Sequence, residues 1–361
     1  MAATLRYGVI GGGMMAREHM ANLALIPGSV VTAVADPDSG QQALNAEAAP
    51  GAALLSDADS LIARDDVDAV IVATPNHTHF DVLQRVFAGR PRPLLVEKPV
   101  VTTPDLGTQL AEQAAAWPAP FWVAMEYRYM PPVAVLLEEL RGGVTGPLRM
   151  LTIREHRYPF LEKVGDWNRF NANTGGTMVE KCCHFFDLMR LILQDEPQRI
   201  FASGGAEVNH RAERYDGRQP DIVDNAYVMV DFAGGARAML ELCMFAEGGW
   251  FQEEITATGE QGRVACFIPG PARRIGGAER EAMIEVSPRN PVNPQRRPVP
   301  VDAAVLRAGE HHGSTYYQHL RFREAVLGRG AVEVTLSDGL KAVAMGAAAE
   351  RSMAEGRPVM L

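Results

Sequence analysis

Short apolar runs recur through the first third of the chain, spaced to leave room for a helix between most of them. Leu5–Ile10 (LRYGVI), Val30–Ala35 (VVTAVA), Ala69–Ala73 (AVIVA), Leu94–Val96 (LLV) and Phe121–Ala124 (FWVA) are short and apolar on both sides. Runs of this kind suit strands buried on both faces of a parallel sheet. Met14–Leu25 and Thr78–Ala88 carry apolar residues three and four apart, the period of a helix. Thr103 caps a third predicted helix, with Pro104 in its first turn and Asp105 at its positive end. The rhythm predicts an α/β domain, residues 1–125, built on a doubly wound parallel sheet.

After about residue 126 the pattern changes. Met150–His156, Ala226–Phe232, Ala236–Phe245 and Glu254–Thr258 read as strands without helices between them, with Gly234–Gly235 as a hairpin turn. They predict a large, mainly antiparallel open sheet in a second, α+β domain, residues 126–361. A helix is expected from about Glu180 to Leu193, and two more over Tyr316–Leu327 and Asp338–Ala354. Residues 268–300, rich in Pro, Arg and Gly, read as an extended excursion.

The chain of 361 residues has 35 basic and 44 acidic side chains, a net charge of -9. This argues against a general nucleic-acid binder, which needs a basic surface for phosphates. No apolar run reaches the length of a membrane span, and the apolar start is broken at once by glycines rather than forming a secretory signal. Four cysteines, two of them adjacent, do not make a disulfide framework, so a cytoplasmic location is expected.

The first strand runs into Gly11-Gly12-Gly13-Met14-Met15-Ala16, a GxGxxA turn between strand and helix. Gly11 permits the tight turn, Gly13 lets a pyrophosphate approach the backbone, and Ala16 allows close helix packing. Met14 and Met15 lie in the same turn. Methyltransferases and flavoenzymes also carry glycine turns, so this motif alone leaves the cofactor open. Asp36, 20 residues after Ala16, stands at the end of the second strand, where an acid can bond ribose hydroxyls. It is followed by Pro37-Asp38-Ser39, with no cation for a 2′-phosphate, which favours NAD over NADP.

Two further segments fall at strand ends, where an open α/β sheet binds its ligands. Thr74-Pro75-Asn76-His77-Thr78-His79 follows one strand and Glu97-Lys98-Pro99 the next. Both should border the cofactor, with His77 and His79 lining the nicotinamide end. Lys98 is expected at the cleft floor, where partial burial lowers its pKa. Later comes Gly175-Gly176, then Glu180-Lys181-Cys182-Cys183-His184 and Asp187. If helical, Glu180 and His184 share a face, a carboxylate beside an imidazole.

Together these segments resemble the Gfo/Idh/MocA family, the glucose–fructose oxidoreductase and inositol dehydrogenase group. The likeness rests on GxGxxA, on Thr74-Pro75-Asn76 with His79, on Glu97-Lys98-Pro99 and on Gly175-Gly176 with His184 and Asp187. It extends through the tail from Tyr316 to Leu361. It implies a Rossmann domain followed by a sheet domain that carries the substrate site and an oligomer interface. It also implies hydride transfer between NAD(P) and a secondary alcohol of a sugar or cyclitol, in a homodimer or homotetramer. Lys98 and His184 match the family's catalytic lysine and histidine, and Glu180 stands where the family more often has Asp. The family's D-x-G-x-H run is here Glu180-Lys181-Cys182-Cys183-His184, a departure that leaves the role of Glu180 open.

The expected mechanism has neutral His184 as base, Lys98 bonding the same oxygen, and Glu180 positioning one or both. Tyr127, Arg128, His156, Arg157, Trp167, Asn168, Arg169 and Tyr316 are candidates for binding a polyhydroxylated ligand, beside Lys98, Glu180 and His184. No metal is expected: adjacent Cys182 and Cys183 make poor joint ligands, and no CxxC or HxxxH partner occurs. His311-His312 reads as a polar turn, and the arginines between 273 and 297 as a solvated loop. Two other activities fit the same residues: elimination or glycoside cleavage through transient sugar oxidation, and a dinucleotide-binding sensor without catalysis.

Overall fold

The computed structural model describes residues 4–277 and 280–361. Six short strands form a parallel sheet: β1 (Leu5–Ile10), β2 (Ser29–Ala35), β3 (Ala53–Leu55), β4 (Ala69–Val72), β5 (Leu94–Val96) and β6 (Phe121–Val123). Their order is β3-β2-β1-β4-β5-β6, so the winding reverses between β1 and β4. The central strands are apolar on both faces because helices cover both: Val9, Val70, Ile71, Leu94 and Leu95 are at most 1 % exposed. Met14–Ala24 follows β1 directly, and Thr103 accepts the Leu106 N–H to open Pro104–Ala114. Two short helices, Ser39–Ala48 and Ala58–Ile62, and strand β3 carry too weak a period to be read from the sequence.

The second sheet has nine strands: β7 (Leu148–His156), β8 (Pro197–Gly205), β9 (Asn225–Phe232), β10 (Arg237–Cys243), β11 (Glu253–Gly259), β12 (Gly262–Ile268), β13 (Ala282–Pro288), β14 (Gln295–Val299) and β15 (Val359–Met360). Their order is β14-β13-β12-β11-β7-β10-β9-β8-β15, antiparallel except for the β7–β10 pair. The expected excursion over 268–300 is therefore corrected: β13 and β14 extend the sheet. Ala282 and Ile284 turn inward on β13, while β14 (QRRPV) is an edge strand, where arginines and Pro298 are tolerated.

One face of this sheet is covered by Cys183–Leu193, which buries Phe185, Phe186, Leu188 and Met189 completely. Truncating either phenylalanine to alanine would cost about 3–5 kcal/mol. The predicted continuous helix from Glu180 is broken in two. Thr177–Glu180 ends in a wide turn, with the Cys182 N–H reaching back to the Thr177 carbonyl at 3.2 Å, and a new helix starts at Cys183. The Gly175–Gly176 pair permits this approach. A Cβ on Gly175 would sit 2.3 Å from the Thr102 carbonyl, and one on Gly176 2.2 Å from a Glu350 carboxylate oxygen.

The last two long helices return to the first sheet. Phe322 of Ser314–Val326 joins the core around β6, and Leu336–Glu355 spans both cores, with Ala342 and Val343 in one and Met345, Ala348 and Ala349 in the other. The two halves are thus packed along the line where β1, β4 and β5 end.

Candidate active site

A cavity of about 830 Å³ opens at the carboxyl ends of β1, β2, β4 and β5. At one end stand Gly11, Gly13, Met14, Met15 and Asp36; Thr74, Pro75 and Asn76 line its middle, and Glu97, Lys98 and Glu180 the other end. Gly11 has φ +88°, and a Cβ there would lie 2.6 Å from the Ala73 carbonyl oxygen. Gly13 differs: a Cβ there would meet nothing within 4 Å. The chain passes open space at that point, beside the free N–H groups that begin Met14–Ala24. Asp36 accepts the Gly12 N–H at 2.6 Å and the Asp38 N–H at 2.8 Å, fixing its carboxylate at the end of β2.

Sequence reasoning missed Arg17 at this end. It lines the cavity and donates to the Gly12 carbonyl and to Gln41, both at 2.7 Å. Burial lowers its pKa and the nearby Asp36 carboxylate raises it, for a net downward shift. Its place in the first turn after the glycines was the available signal.

The Glu97–Lys98 strand end meets the 175–187 segment at the other end. Lys98 Nζ donates to the main-chain oxygen of Glu180 at 3.2 Å. The Glu180 carboxylate instead accepts from Asn76 Nδ2 at 2.9 Å. The helix expected from Glu180 is interrupted at Lys181–Cys182, and among the described residues no hydrogen bond joins the Glu180 carboxylate to His184 Nδ1. Burial raises the pKa of Glu180, more than Lys98, Lys163 and Arg157 lower it.

Lys98 also departs from expectation. Burial lowers its pKa, but Cys183, Glu180, Glu97 and Glu126 outweigh burial, and the net shift is upward. It is an ammonium ion at neutral pH. His184 moves the other way. Burial, then the charges of Lys98, Lys181, His311 and Arg157, hold it well below 6.5, so the ring is neutral. His184 is 2 % exposed, and among the described residues its Nδ1 has no hydrogen-bond partner. Its ring lies flat on Tyr127, with centroids 4.0 Å apart and planes 6° from parallel.

Glu97 is tied into a buried chain: its Oε1 meets His19 Nε2 at 2.8 Å, and His19 Nδ1 meets His319 Nε2 at 2.9 Å. Beside it, His311 is far from a simple polar turn. Its Nδ1 lies 2.8 Å from Glu18 and 3.6 Å from Glu126, which drive its pKa up to about 9 against burial. Glu18, Glu126 and His311 bring their ligand atoms within 4.8 Å of one another, yet they already pair as ions.

Several predicted ligand residues are engaged elsewhere. Arg128 binds Asp187 through two bonds of 2.6 and 2.5 Å and donates to the Glu333 carbonyl, so it braces the fold. His156 follows the alternation of β7 onto the face opposite Glu155 and pairs there with Glu241 at 2.8 Å, away from the cavity. Asn168 and Arg169 are buried, bonded to the Leu161 carbonyl and, for Arg169, to Glu213. His79 is also buried, its nitrogens spent on the Pro99 and Thr74 carbonyls, so it fastens two loop ends rather than lining the nicotinamide site. Tyr316 meets Tyr317 edge-on. Trp167 does line the cavity, with His77 6.0 Å from its ring. Beside Trp167 stand Glu162, Lys163 and Val164, from a loop whose sequence has no period to mark it.

This arrangement of a glycine turn with open space, an acid at the end of β2 and a lysine at the end of β5 agrees with the comparisons of the chain with known proteins. Residues 5–125 match the NAD-binding Rossmann fold of an oxidoreductase family, Gfo/Idh/MocA, and residues 138–361 match that family's C-terminal alpha/beta domain. The chain belongs to the Gfo/Idh/MocA oxidoreductase family. Its relatives include an inositol 2-dehydrogenase of Acidothermus cellulolyticus, 31 % identical over 287 residues, covering 78 % of this chain and 79 % of the relative. Another, an inositol 2-dehydrogenase of Rhizobium meliloti, is 26 % identical over 99 % of both chains. A solved levoglucosan dehydrogenase, in complex with NADH and levoglucosan, superposes with a TM-score of 0.82 over 99 % of both chains at 19 % identity, a likeness of fold. As a Gfo/Idh/MocA member the chain is a nicotinamide-dinucleotide oxidoreductase. Gly11, Gly13 and Asp36 fit the dinucleotide, since the cavity has space where Gly13 lacks a side chain and an acid where a ribose would lie. Among the described residues no helix is long and apolar enough to cross a membrane.

Proposed function

We propose that this protein oxidises or reduces a secondary alcohol carbon of a sugar or cyclitol, with NAD(H) as its redox partner. One observation carries the reading: Lys98, in the cavity wall, and His184, buried within reach of the Lys98 charge, have pKa values pushed in opposite directions. Lys98 is kept charged and His184 neutral. That division assigns an acid and a base to one site. A bound nicotinamide supplies the two-electron acceptor.

The protein manages the proton. His184, neutral and desolvated, takes the hydroxyl proton through Nε2. Lys98 donates a hydrogen bond to the same oxygen and offsets its growing negative charge. Its ammonium is aimed by the Glu180 carbonyl and by the turn at Pro99. Asn76 holds the Glu180 carboxylate, leaving its second oxygen to accept from a neighbouring hydroxyl of the substrate. Trp167 lines the cavity and offers a ring face for the C–H surface of a sugar, while Tyr127 stacks on His184 and Arg157 lends a positive charge near it.

NAD is the preferred dinucleotide on this reading. The Asp36 carboxylate is fixed in the cavity wall at the end of β2, and a negative charge there disfavours the extra phosphate of NADP. All four cysteines are free, which suits a cytoplasmic enzyme. Phe201, Tyr227, Met229 and Met239 stand exposed on the outer face of the nine-stranded sheet and favour a homodimer or homotetramer, which light scattering would measure.

The deciding experiment follows reduced-nicotinamide absorbance with purified protein, NAD or NADP, and a panel of inositols, aldoses, sugar acids and glycosides. Signal growth with NAD and one polyol class supports the proposal. A flat trace across the panel, with NADH shown to bind, overturns it in favour of a redox-neutral reaction or a sensor.

A further inference from the structure

An imidazole that acts as a base is ordinarily fixed by a hydrogen bond on its second nitrogen, which also selects the tautomer. Among the described residues His184 lacks that bond: its Nδ1 is buried without a partner, carboxylate or other, and Glu180 is held by Asn76. The ring is instead held by its face. Tyr127 lies parallel to it at 4.0 Å, and both residues are at most 2 % exposed.

Tyr127 is anchored in turn. Lys181 Nζ donates to the Tyr127 hydroxyl at 2.5 Å and stands 2.8 Å from Glu155 Oε1. Glu155 pairs directly across the β7–β11 ladder with Glu253. Both acids are buried, at 0 % and 1 % exposure, which would be costly without nearby cations. Lys181 and the neighbouring Arg157 supply them, Arg157 at 3.6 Å from Glu155. Lys181, Arg157 and Glu155 are thus gathered behind one phenol with Glu253, whose pKa burial and the neighbouring Glu155 push up to about 7, and none of them reacts in the mechanism above.

We propose that Tyr127 and Lys181 are the positioning pair of His184. Stacking fixes the plane of the imidazole, and the Lys181–Glu155 ion pair fixes the phenol that does the stacking. The charged lysine behind the phenol also helps keep the imidazole unprotonated. The two neighbours face different ways, Glu180 toward Asn76 and Lys181 toward Glu155 of the second sheet. The Lys181 of the Glu180-Lys181-Cys182-Cys183-His184 run therefore has a task of its own.

The inference rests on His184 being the base, but it is read from the ring itself, so the two can fail separately. The experiment is nitrogen–proton NMR of the full chain, labelled with 15N-histidine and loaded with NADH, over a pH series. His184→Gln identifies the signal among nine histidines, and loss of turnover in that variant tests the base reading independently. In the wild type the carbon-bound ring protons of His184 are expected at a strongly upfield shift, from the ring current of the stacked phenol, with protonation only well below 6.5. Lys181→Met removes a charge that opposes protonation, so the midpoint shifts upward. Tyr127→Phe keeps the ring but loses its anchor, so the upfield shift shrinks as the stack loosens, and Tyr127→Leu abolishes it. Tyr127→Phe preserves the apolar packing and decides the matter if Lys181→Met does not fold. Wild-type ring-proton shifts and midpoint in Tyr127→Phe, together with an unshifted midpoint in any folded Lys181→Met, overturn the proposal.

Discussion

The Lys98 ammonium donates to the main-chain oxygen of Glu180, while the Glu180 carboxylate turns away to Asn76. Lys98 is therefore oriented by backbone, which no side-chain exchange at position 180 removes. Glu180→Gln should leave Lys98 in place and change mainly the KM for a polyol. Steady-state kinetics with NAD saturating would show it; a loss confined to kcat would contradict the assignment.

Removing the acid–base pair should be far more severe. His184→Ala is expected to lower kcat by roughly 10²–10⁴-fold, the usual range for a general base. Lys98→Ala should lower it by roughly 10²–10³-fold, the scale of a lost oxyanion donor. NADH binding, followed by fluorescence, should survive in both. Wild-type turnover in either folded variant would remove that residue from the mechanism.

The pH profile of kcat follows from the same two groups. His184 must be neutral to accept a proton, and its pKa is depressed by burial and by surrounding cations. Activity should therefore be level through neutral pH and decline only well below 6.5. Lys98 must be charged, and its raised pKa keeps it so on the alkaline side. An acid limb centred near 6.5 would show that His184 is ordinary.

The two glycines of the nucleotide turn should respond oppositely to substitution. Gly13→Ala meets no protein atom within 4 Å, so melting temperature should hold while NADH affinity falls by about tenfold or more. Gly11→Ala meets the Ala73 carbonyl at 2.6 Å from a backbone at φ +88°, so it should destabilise the fold itself. Calorimetry with and without NADH separates the two effects.

Cofactor choice should turn on Asp36 and Arg17 together. In Asp36→Asn the carboxylate that opposes a 2′-phosphate is gone, while Arg17 remains in the wall. NADPH affinity should rise by roughly tenfold or more, the scale of a charge-assisted hydrogen bond. Adding Arg17→Leu should cancel the gain. A Kd for NADPH unchanged by Asp36→Asn would argue against the NAD preference.

The ion cluster between the halves gives a stability prediction. Glu126 and Glu18 raise His311 to about 9, and Glu18 is in turn lowered to about 2, chiefly by His311 against burial. The raised histidine contributes fully below its ordinary value of 6.5, and this stability is lost as pH rises through 9. At neutral pH it is of order 3 kcal/mol. His311→Gln should therefore lower the melting temperature at pH 7 and much less at pH 10.5. An equal loss at both values would assign His311 a packing role alone.

Local pattern determined much of this protein. Short apolar runs such as Leu94–Val96, recurring with helical stretches between them, read as central parallel strands, and the glycine turn follows from the backbone freedom of Gly11 and the missing side chain of Gly13. Local chemistry therefore marked the cofactor end, Lys98 and His184. It could not mark β14, whose polar QRRPV sequence pairs only because β13 offers a free edge. Nor could it tell that Arg128 would be spent on Asp187, or His156 turned to the outer face of its sheet. The pKa of Lys98 belongs to the same class. Its own segment predicts a downward shift by burial, and only the approach of Cys183, Glu180 and Glu126, all distant in sequence, reverses it. Burial and charge are sums over neighbours in space, so a chain specifies them only once it is folded.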